Sequence, residues 1–336
     1  MKKSKYAWLR WPALPALVMC IVFFIMNIFV TQGFLQSYVI LGFLSSNIPL
    51  LCVSVGCAGV IIAGGMDISL GAIISLVNVI FVKLNETGMS LAAQITVCLL
   101  LSLLMGLLNG IIIGWWRVTP LLTTYATSSV YAGIALWLLP RPGGIIAREF
   151  AMWYNSFLFG VIPVPVLFAV LILALWAVLM KSPLRYWLYS SGRDGAKAYV
   201  SGVPVYRTQV FSYVFAGLTA GIGGIALSGS TQGGDATVGL SLSMNAIAAC
   251  VIGGISLAGG IGAIIGSMFG ALFLSLVTMT VLSAHVSSLY QSLIKGIILL
   301  AGVLFSLLIE RRILKEHKQT GPPGGNIEKD NGKEAA

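Results

Sequence analysis

Between Trp11 and Ile309 the chain carries only 15 charged residues in 299 positions, whereas about a quarter of a water-soluble domain is charged. A stretch so poor in charge cannot present a solvated surface. In a bilayer no solvent satisfies backbone N–H and C=O groups, so the chain must pair them internally, as helices do. The sequence therefore predicts an all-α integral membrane protein: a polytopic helical bundle of about ten transmembrane helices, some of them broken or re-entrant.

One span needs about 20 apolar residues. Candidate spans lie near 11–31, 40–63, 68–84, 91–114, 120–139, 157–180, 209–228, 241–258, 261–282 and 287–309. The third and eighth are short and flanked by glycines, so these two are the candidates for broken or re-entrant segments. The domain reading is a cytoplasmic N-terminus (1–10), a transmembrane domain (11–309) and a polar, disordered cytoplasmic tail (310–336) containing Gly-Pro-Pro-Gly-Gly at 321–325. The N-terminus has a basic start, but the apolar run continues through Val30 without a small-residue cleavage pattern, which favours a retained first span over a signal peptide.

The net charge is +10. Its distribution fits membrane orientation rather than a nucleic-acid face. With ten spans and both termini in the cytoplasm, 16 of the 20 basic residues fall on the cytoplasmic side. Lys83, Arg141 and Arg148 fall outside, and Lys295 lies within a span.

The five cysteines sit in apolar stretches without a CxxC pair, and His285 and His317 stand far apart. The cysteines suit apolar filling, and neither the cysteines nor the two histidines form a metal-ligand set. No catalytic constellation, cofactor motif or Walker sequence is present, so energy for transport must come from another subunit or an ion gradient.

Four segments and two glycine ladders carry the functional reading. In Gly64-Gly65-Met66-Asp67-Ile68-Ser69-Leu70-Gly71 the paired glycines end one span, and Asp67 or Ser69 can cap the next. Asp67 is the sole acid of the first 85 residues, and a carboxylate at a membrane helix end is either functional or a simple cap. Gly253-Gly254-Ile255-Ser256-Leu257-Ala258-Gly259-Gly260-Ile261-Gly262 has five glycines in ten residues, which argues for a break lining a cavity or for a plain turn. Arg117 to Tyr125 places Thr123 and Thr124 after Pro120, where hydroxyls line a polar path or satisfy backbone freed by the proline. The loop from Lys181 to Arg207 holds a candidate short helix over Asp194–Val200, ended near Gly202 and Pro204. It is a docking element for a cytoplasmic partner or a solvated connector. Gly106, Gly110 and Gly114, and likewise Gly262, Gly266 and Gly270, repeat every fourth residue. This spacing puts each set on one helix face, against another helix or a second subunit.

Together these segments resemble the permease subunits of bacterial ABC importers for monosaccharides, a family that includes ribose, xylose, arabinose, galactose and autoinducer-2 permeases. The family's Gly-Gly-Ile-Asp-Leu-Ser-Val-Gly element is similar to Gly64–Gly71. Its Pro-x-Phe-Ile-x-Thr-Leu element is similar to Pro120–Tyr125. Its Gly-Asn-x-x-Ala-Ala-x-x-Ser-Gly-Ile element is similar to Arg193–Val203. Its Ala-Ile-Ala-x-x-Val-x-Gly-Gly-x-x-Leu-x-Gly-Gly-x-Gly element is similar to Ala246–Gly262. Arg193, Asp194 and Lys197 depart from the usual Gly, Asn and Ala, and the segment after Pro120 lacks the family's Phe.

The resemblance implies a path for a monosaccharide or similar small polar solute, worked by alternating access in a bacterial cytoplasmic membrane. It implies cytoplasmic ATPase subunits, an extracytoplasmic solute-binding protein, a second permease subunit and surrounding lipid as partners, with no cofactor and no catalysis on this chain. Gly64, Gly65, Asp67, Thr123, Thr124, Tyr125, Gly253 and Gly254 are then candidates for the path or its gates. Arg193, Asp194, Lys197, Ala198, Ser201 and Gly202 are candidates for ATPase coupling. The alternatives are an ion-coupled secondary transporter, for which only Asp67 and Lys295 offer intramembrane charge, a membrane scaffold, or an ABC permease for a nucleoside or branched-chain amino acid.

Overall fold

The computed structural model describes residues 13–284 and, beyond them, residues 290, 293, 294, 296–298, 300–302 and 304. The two terminal segments, Lys295, both histidines and most of the 287–309 candidate span lie outside the described residues. The elements are α1 (Leu14–Val30), α2 (Ser37–Ile62), α3 (Leu70–Glu86), α4 (Leu91–Gly114), α5 (Pro120–Leu138), α6 (Arg148–Tyr154), the strands β1 (Phe157–Leu158) and β2 (Ile162–Pro163), α7 (Val164–Met180), α8 (Leu184–Arg193), α9 (Gly195–Val200), α10 (Val205–Thr231), α11 (Leu240–Ile252) and α12 (Ile264–Ser283). The strands form one antiparallel hairpin, Phe157 opposite Pro163 and Leu158 opposite Ile162.

Each of the first nine candidate spans coincides with one helix, with shifted ends. Five of these helices (α2, α4, α5, α10 and α12) are long and apolar enough to cross a membrane, or six segments if α7 and α8 count as one span bent by 85°. The candidate span at 157–180 starts seven residues early: the β1–β2 hairpin occupies its beginning, and Pro163 sits at the helix boundary. The eighth span ends at Ile252 and the ninth begins at Ile264, so the glycine-rich stretch between them is wholly non-helical.

The buried centre of the bundle is α10, packed on α2, α3 and α4. Small residues make this possible, because in lipid helices associate through close packing rather than hydrophobic exclusion. A Cβ on Gly106 or Gly217 would strike the facing helix, whose backbone approaches at Tyr213 O for the first and Gly106 Cα, 2.9 Å away, for the second. Gly110 and Gly114 face Val210 and Tyr206 of the same helix. The first ladder therefore packs within the chain. The second is shorter than its sequence spacing suggests. Gly262 precedes α12 with φ +127° and rests on Ile255, so only Gly266 and Gly270 share a helix face, against Gly253 and Ala249.

Proline inside α2 is tolerated for a visible reason. Pro49 cannot donate to the carbonyl four residues back, that of Ser45. The buried Tyr154 hydroxyl donates to that oxygen instead, at 2.9 Å.

Both ends of the bundle are assembled from distant segments. At one end Asn85 donates to Ile145 O, Asn155 to Gly229 O, and Gly143 pairs with Gly234. The opposite ends of α2, α3, α5 and α10 gather the 64–69 segment, the 115–119 turn, α8, α9 and the 253–262 segment.

Candidate functional site

Both glycine pairs end helices by the same local geometry. At the end of α2, Gly64 has φ +84°, its N–H donates to Ile61 O at 2.9 Å and the Gly65 N–H donates to Val60 O at 2.9 Å. At the end of α11, Gly254 has φ +78°, its N–H donates to Val251 O at 3.0 Å and the Ile255 N–H donates to Cys250 O at 3.0 Å. This is the Schellman arrangement, which satisfies terminal carbonyls and needs a left-handed residue that glycine adopts without strain. α9 ends likewise at Gly202.

Beyond α2 the chain runs unwound to Ser69, and other elements brace it. Asp67 is fully buried; its Oδ1 accepts the Ser69 N–H at 2.8 Å and the Ser69 hydroxyl at 2.6 Å. Ser69 is the N-cap residue of α3 but makes no side-chain cap bond itself, so Asp67 fastens the turn rather than capping the helix. Asn109 of α4 donates to Ser69 Oγ at 2.8 Å. Thr124 of α5 accepts from Ile68 N–H at 3.2 Å and donates to Pro120 O at 2.9 Å. Tyr213 of α10 donates to Met66 O at 3.1 Å, and Ser243 of α11 donates to Ile68 O at 2.6 Å. Asp67 Oδ2, Asn109 Oδ1 and Thr123 Oγ1 are buried without a hydrogen-bond partner among the described residues.

The two glycine segments meet, and they meet at the end of α8. Gly260 N–H donates to Ile62 O at 3.0 Å. A Cβ on Gly64 would lie 3.1 Å from Gly192 Cα, one on Gly259 would lie 2.9 Å from Gly64 Cα, and one on Gly192 would overlap Ile62 O and stand 2.7 Å from Gly260 N. Tyr189, one turn back on α8, donates to Gly262 O at 2.9 Å. Gly64, Gly192 and Gly259 thus form a junction of three backbones with no room for a side chain.

α8 continues into α9, whose N-cap is Asp194. The Asp194 carboxylate accepts the Lys197 N–H at 3.0 Å and pairs with the Lys197 ammonium at 3.0 Å. The backbone donor first, then the side chain, hold this carboxyl below its ordinary range. Arg193, Asp194, Lys197, Ala198 and Ser201 line one surface groove of about 380 Å³ together with Ser190 and Val203.

Of the sequence candidates, Gly64, Gly65, Asp67 and Thr124 come together around the unwound segment. Gly253 packs on Gly266 of α12, beyond that cluster. Tyr125 is exposed on the outer face of α5, away from Thr124. Gly192, Asn109, Tyr213 and Ser243 were not singled out by their sequence setting. A signal existed for Asn109, an amide inside an apolar span and beside Gly110 of the ladder.

A second unwound stretch, 232–239, joins α10 to α11. Buried Asn78 of α3 donates to Ser228 Oγ at 2.8 Å and Gly233 O at 3.0 Å, and accepts the Asp235 N–H at 2.8 Å. Ser75 accepts the Gly239 N–H at 2.9 Å. α11, only 13 residues long, therefore starts beside α3 rather than at the bundle end. Side chains, not a helix ladder, satisfy the backbone here.

The family described as "branched-chain amino acid transport system / permease component" matches residues 39–303. The ribose import permease protein RbsC of Bacillus subtilis (strain 168) is 32% identical over 87% of this chain and 91% of the relative. The autoinducer 2 import system permease protein LsrC of Photorhabdus laumondii subsp. laumondii is 29% identical over 90% of each chain. RbsC of Haemophilus influenzae is 28% identical over 75% of this chain and 80% of its own. No solved structure matches. The chain belongs to this family of ABC-transporter permease components.

Proposed function

We propose that this chain is the membrane-spanning subunit of an ATP-driven importer for a monosaccharide or a similarly small, neutral, polar solute. Ten spans with both termini in the cytoplasm are part of this reading. ATP hydrolysis resides on separate subunits that dock on the groove at α9, and a solute-binding protein delivers cargo at the opposite end. A second permease subunit, identical or related, completes the path. The names of the ribose and autoinducer-2 permeases among its relatives support the solute class.

One observation carries the mechanism: Gly192, at the end of α8, sits against Ile62 O and Gly260 N. The helix that presents the α9 docking groove is the helix that touches both unwound segments. A rigid displacement of α8–α9 by the ATPases is then transmitted to Gly64–Ser69 and Gly253–Gly262 without slack, because no side chain cushions the contact. The unwound 64–69 segment, held by Thr124, Tyr213 and Ser243, is the gate in this scheme. Its hydrogen bonds exchange with those of a passing polyol at modest cost, whereas buried charge would not. Differential contact in two states, rather than chemistry, is what such a subunit supplies.

The test is uptake in vesicles reconstituted with candidate ATPase and solute-binding partners. Import of a pentose that needs ATP and both partners supports the reading. Uptake driven by a proton or sodium gradient, with no ATPase present, refutes it.

A further inference from the structure

Where α4 ends and α10 begins, the surface carries a groove of about 610 Å³ lined by Ile111, Trp115, Trp116, Tyr206, Arg207 and neighbouring apolar residues of α10. Its mouth and its wall differ in chemistry. Trp115 and Trp116 stand 71% and 69% exposed at the mouth, in the position that amphipathic rings take at a membrane–water boundary. Trp115 meets Tyr206 edge-on, with centroids 6.3 Å apart. Arg207 lies over the Tyr206 ring at 5.5 Å, and its Nε donates to the Tyr206 hydroxyl at 2.7 Å.

That contact engages the Nε edge of the guanidinium and leaves its two terminal nitrogens without a partner among the described residues. Among the described residues, no carboxylate lines the groove and Arg207 makes no ion pair. Away from the mouth the wall is apolar. Ile111 lies one turn before Trp115, and Val210 and Val214 follow Arg207 at steps of three and four. The apolar track runs along α10 for two turns, about 10 Å. The backbone beneath is rigid, since Gly114 lets α4 approach the Tyr206 carbonyl, 2.9 Å from where its Cβ would stand.

We propose that this groove is a binding site for one anionic phospholipid, its phosphate on Arg207 and an acyl chain along Ile111, Val210 and Val214. A guanidinium pre-oriented by a ring suits a phosphodiester oxygen pair, and a basic pocket between spans favours anionic headgroups. The proposal rests on the reading that this chain spans a membrane, but not on what it transports.

The experiment uses the full-length chain purified in detergent with an equimolar mixture of phosphatidylglycerol and phosphatidylcholine, and native mass spectrometry to count retained lipids. Wild type should retain phosphatidylglycerol in preference. Arg207→Gln should lower that preference about five-fold, the effect of one basic residue near a lipid surface, and leave phosphatidylcholine retention unchanged. Val214→Trp, which fills the track, should lower retention of both. If Arg207→Gln is poorly recovered, Arg207→Lys substitutes for it and should lose part of the preference with the stack. Equal retention of the two lipids by wild type overturns the site, as does an undiminished preference in the Arg207 variant. Efficient cross-linking between two copies through a cysteine at Trp116 would show a protein on this face instead, and also overturns it. None of these readouts depends on uptake.

Discussion

The N–H of Gly260 donates to the carbonyl oxygen of Ile62 across 3.0 Å, joining residues 198 positions apart. Ile62 O is the last carbonyl of α2 and has no partner inside its own helix. The bond is therefore satisfied by an unwound segment, while Gly192 closes over the same oxygen. Any movement of α8 acts on both strands of this contact.

Gly192→Val should collapse coupling. Its Cβ would overlap Ile62 O, and relieving that overlap costs about 1–3 kcal/mol by overpacking. Uptake should fall roughly ten-fold or more, with the chain still inserted and the ATPase still turning over. Gly42→Ala is the control, because nothing lies within 4 Å of a Cβ there. Wild-type uptake in the Gly192 variant would remove the junction from the mechanism.

Two of the Schellman glycines, Gly64 and Gly254, should respond differently from their neighbours. Gly64→Ala and Gly254→Ala force a left-handed conformation on an L-residue, at about 1–2 kcal/mol each, and at Gly64 the new Cβ also presses on Gly192 Cα at 3.1 Å. Gly65→Ala instead drives a Cβ to 2.6 Å from the Tyr213 hydroxyl, so Gly65→Ala combined with Tyr213→Phe should recover part of the lost thermal stability in detergent. Absence of any recovery would show that the clash is relieved elsewhere.

Asp67→Asn keeps an acceptor for both Ser69 donors and should preserve the folded protein. Asp67→Ala strands a buried N–H and should cost about 1–3 kcal/mol. Thermal unfolding separates the two. If Asp67→Asn folds normally yet loses uptake, the carboxylate has a role beyond the turn, and its unpartnered Oδ2 is where to look.

On the proposed docking surface, Lys197→Glu places a second acid beside Asp194, whose ammonium partner it removes. We expect weaker ATPase binding in pull-downs and lower uptake, with normal membrane levels. A photo-cross-linker at residue 197 should capture the ATPase. Capture at other positions facing the same side but none at 197 would refute the assignment.

Topology is checked by single cysteines in a background lacking Cys20, Cys52, Cys57, Cys98 and Cys250. Positions 33 and 148 should label from outside with an impermeant maleimide, and position 193 should not. Outside labelling at 193 would invert the bundle and exchange the roles of its two ends.

Much of this architecture was legible because its causes are local. Charge scarcity demands lipid and internally bonded helices, and an apolar run of span length reads directly as a helix. Paired glycines after an apolar run stop a helix by a backbone geometry confined to six residues, so Gly64-Gly65, Gly253-Gly254 and Gly202 were readable as punctuation. Asp194 before a short polar stretch announced α9 for the same reason.

Other features depend on which segments meet, and no local pattern encodes that. Periodicity of four put Gly262 on a helix face, but α12 begins two residues later. The apolar composition of 157–163 suited a span, yet the chain forms a hairpin there. Gly192 looks like an ordinary glycine near a helix end until Ile62 and Gly260 arrive from 130 and 68 residues away. Asn78 reads as an isolated amide until the unwound 232–239 stretch brings backbone groups that need partners. Hydrophobicity, charge and capping act within a few turns, so the solvent, most of the long helices and the glycine-marked helix ends could be read from the chain alone. Which backbones touch is set by the packing of distant segments, because close approach in lipid depends on their small residues coinciding in space.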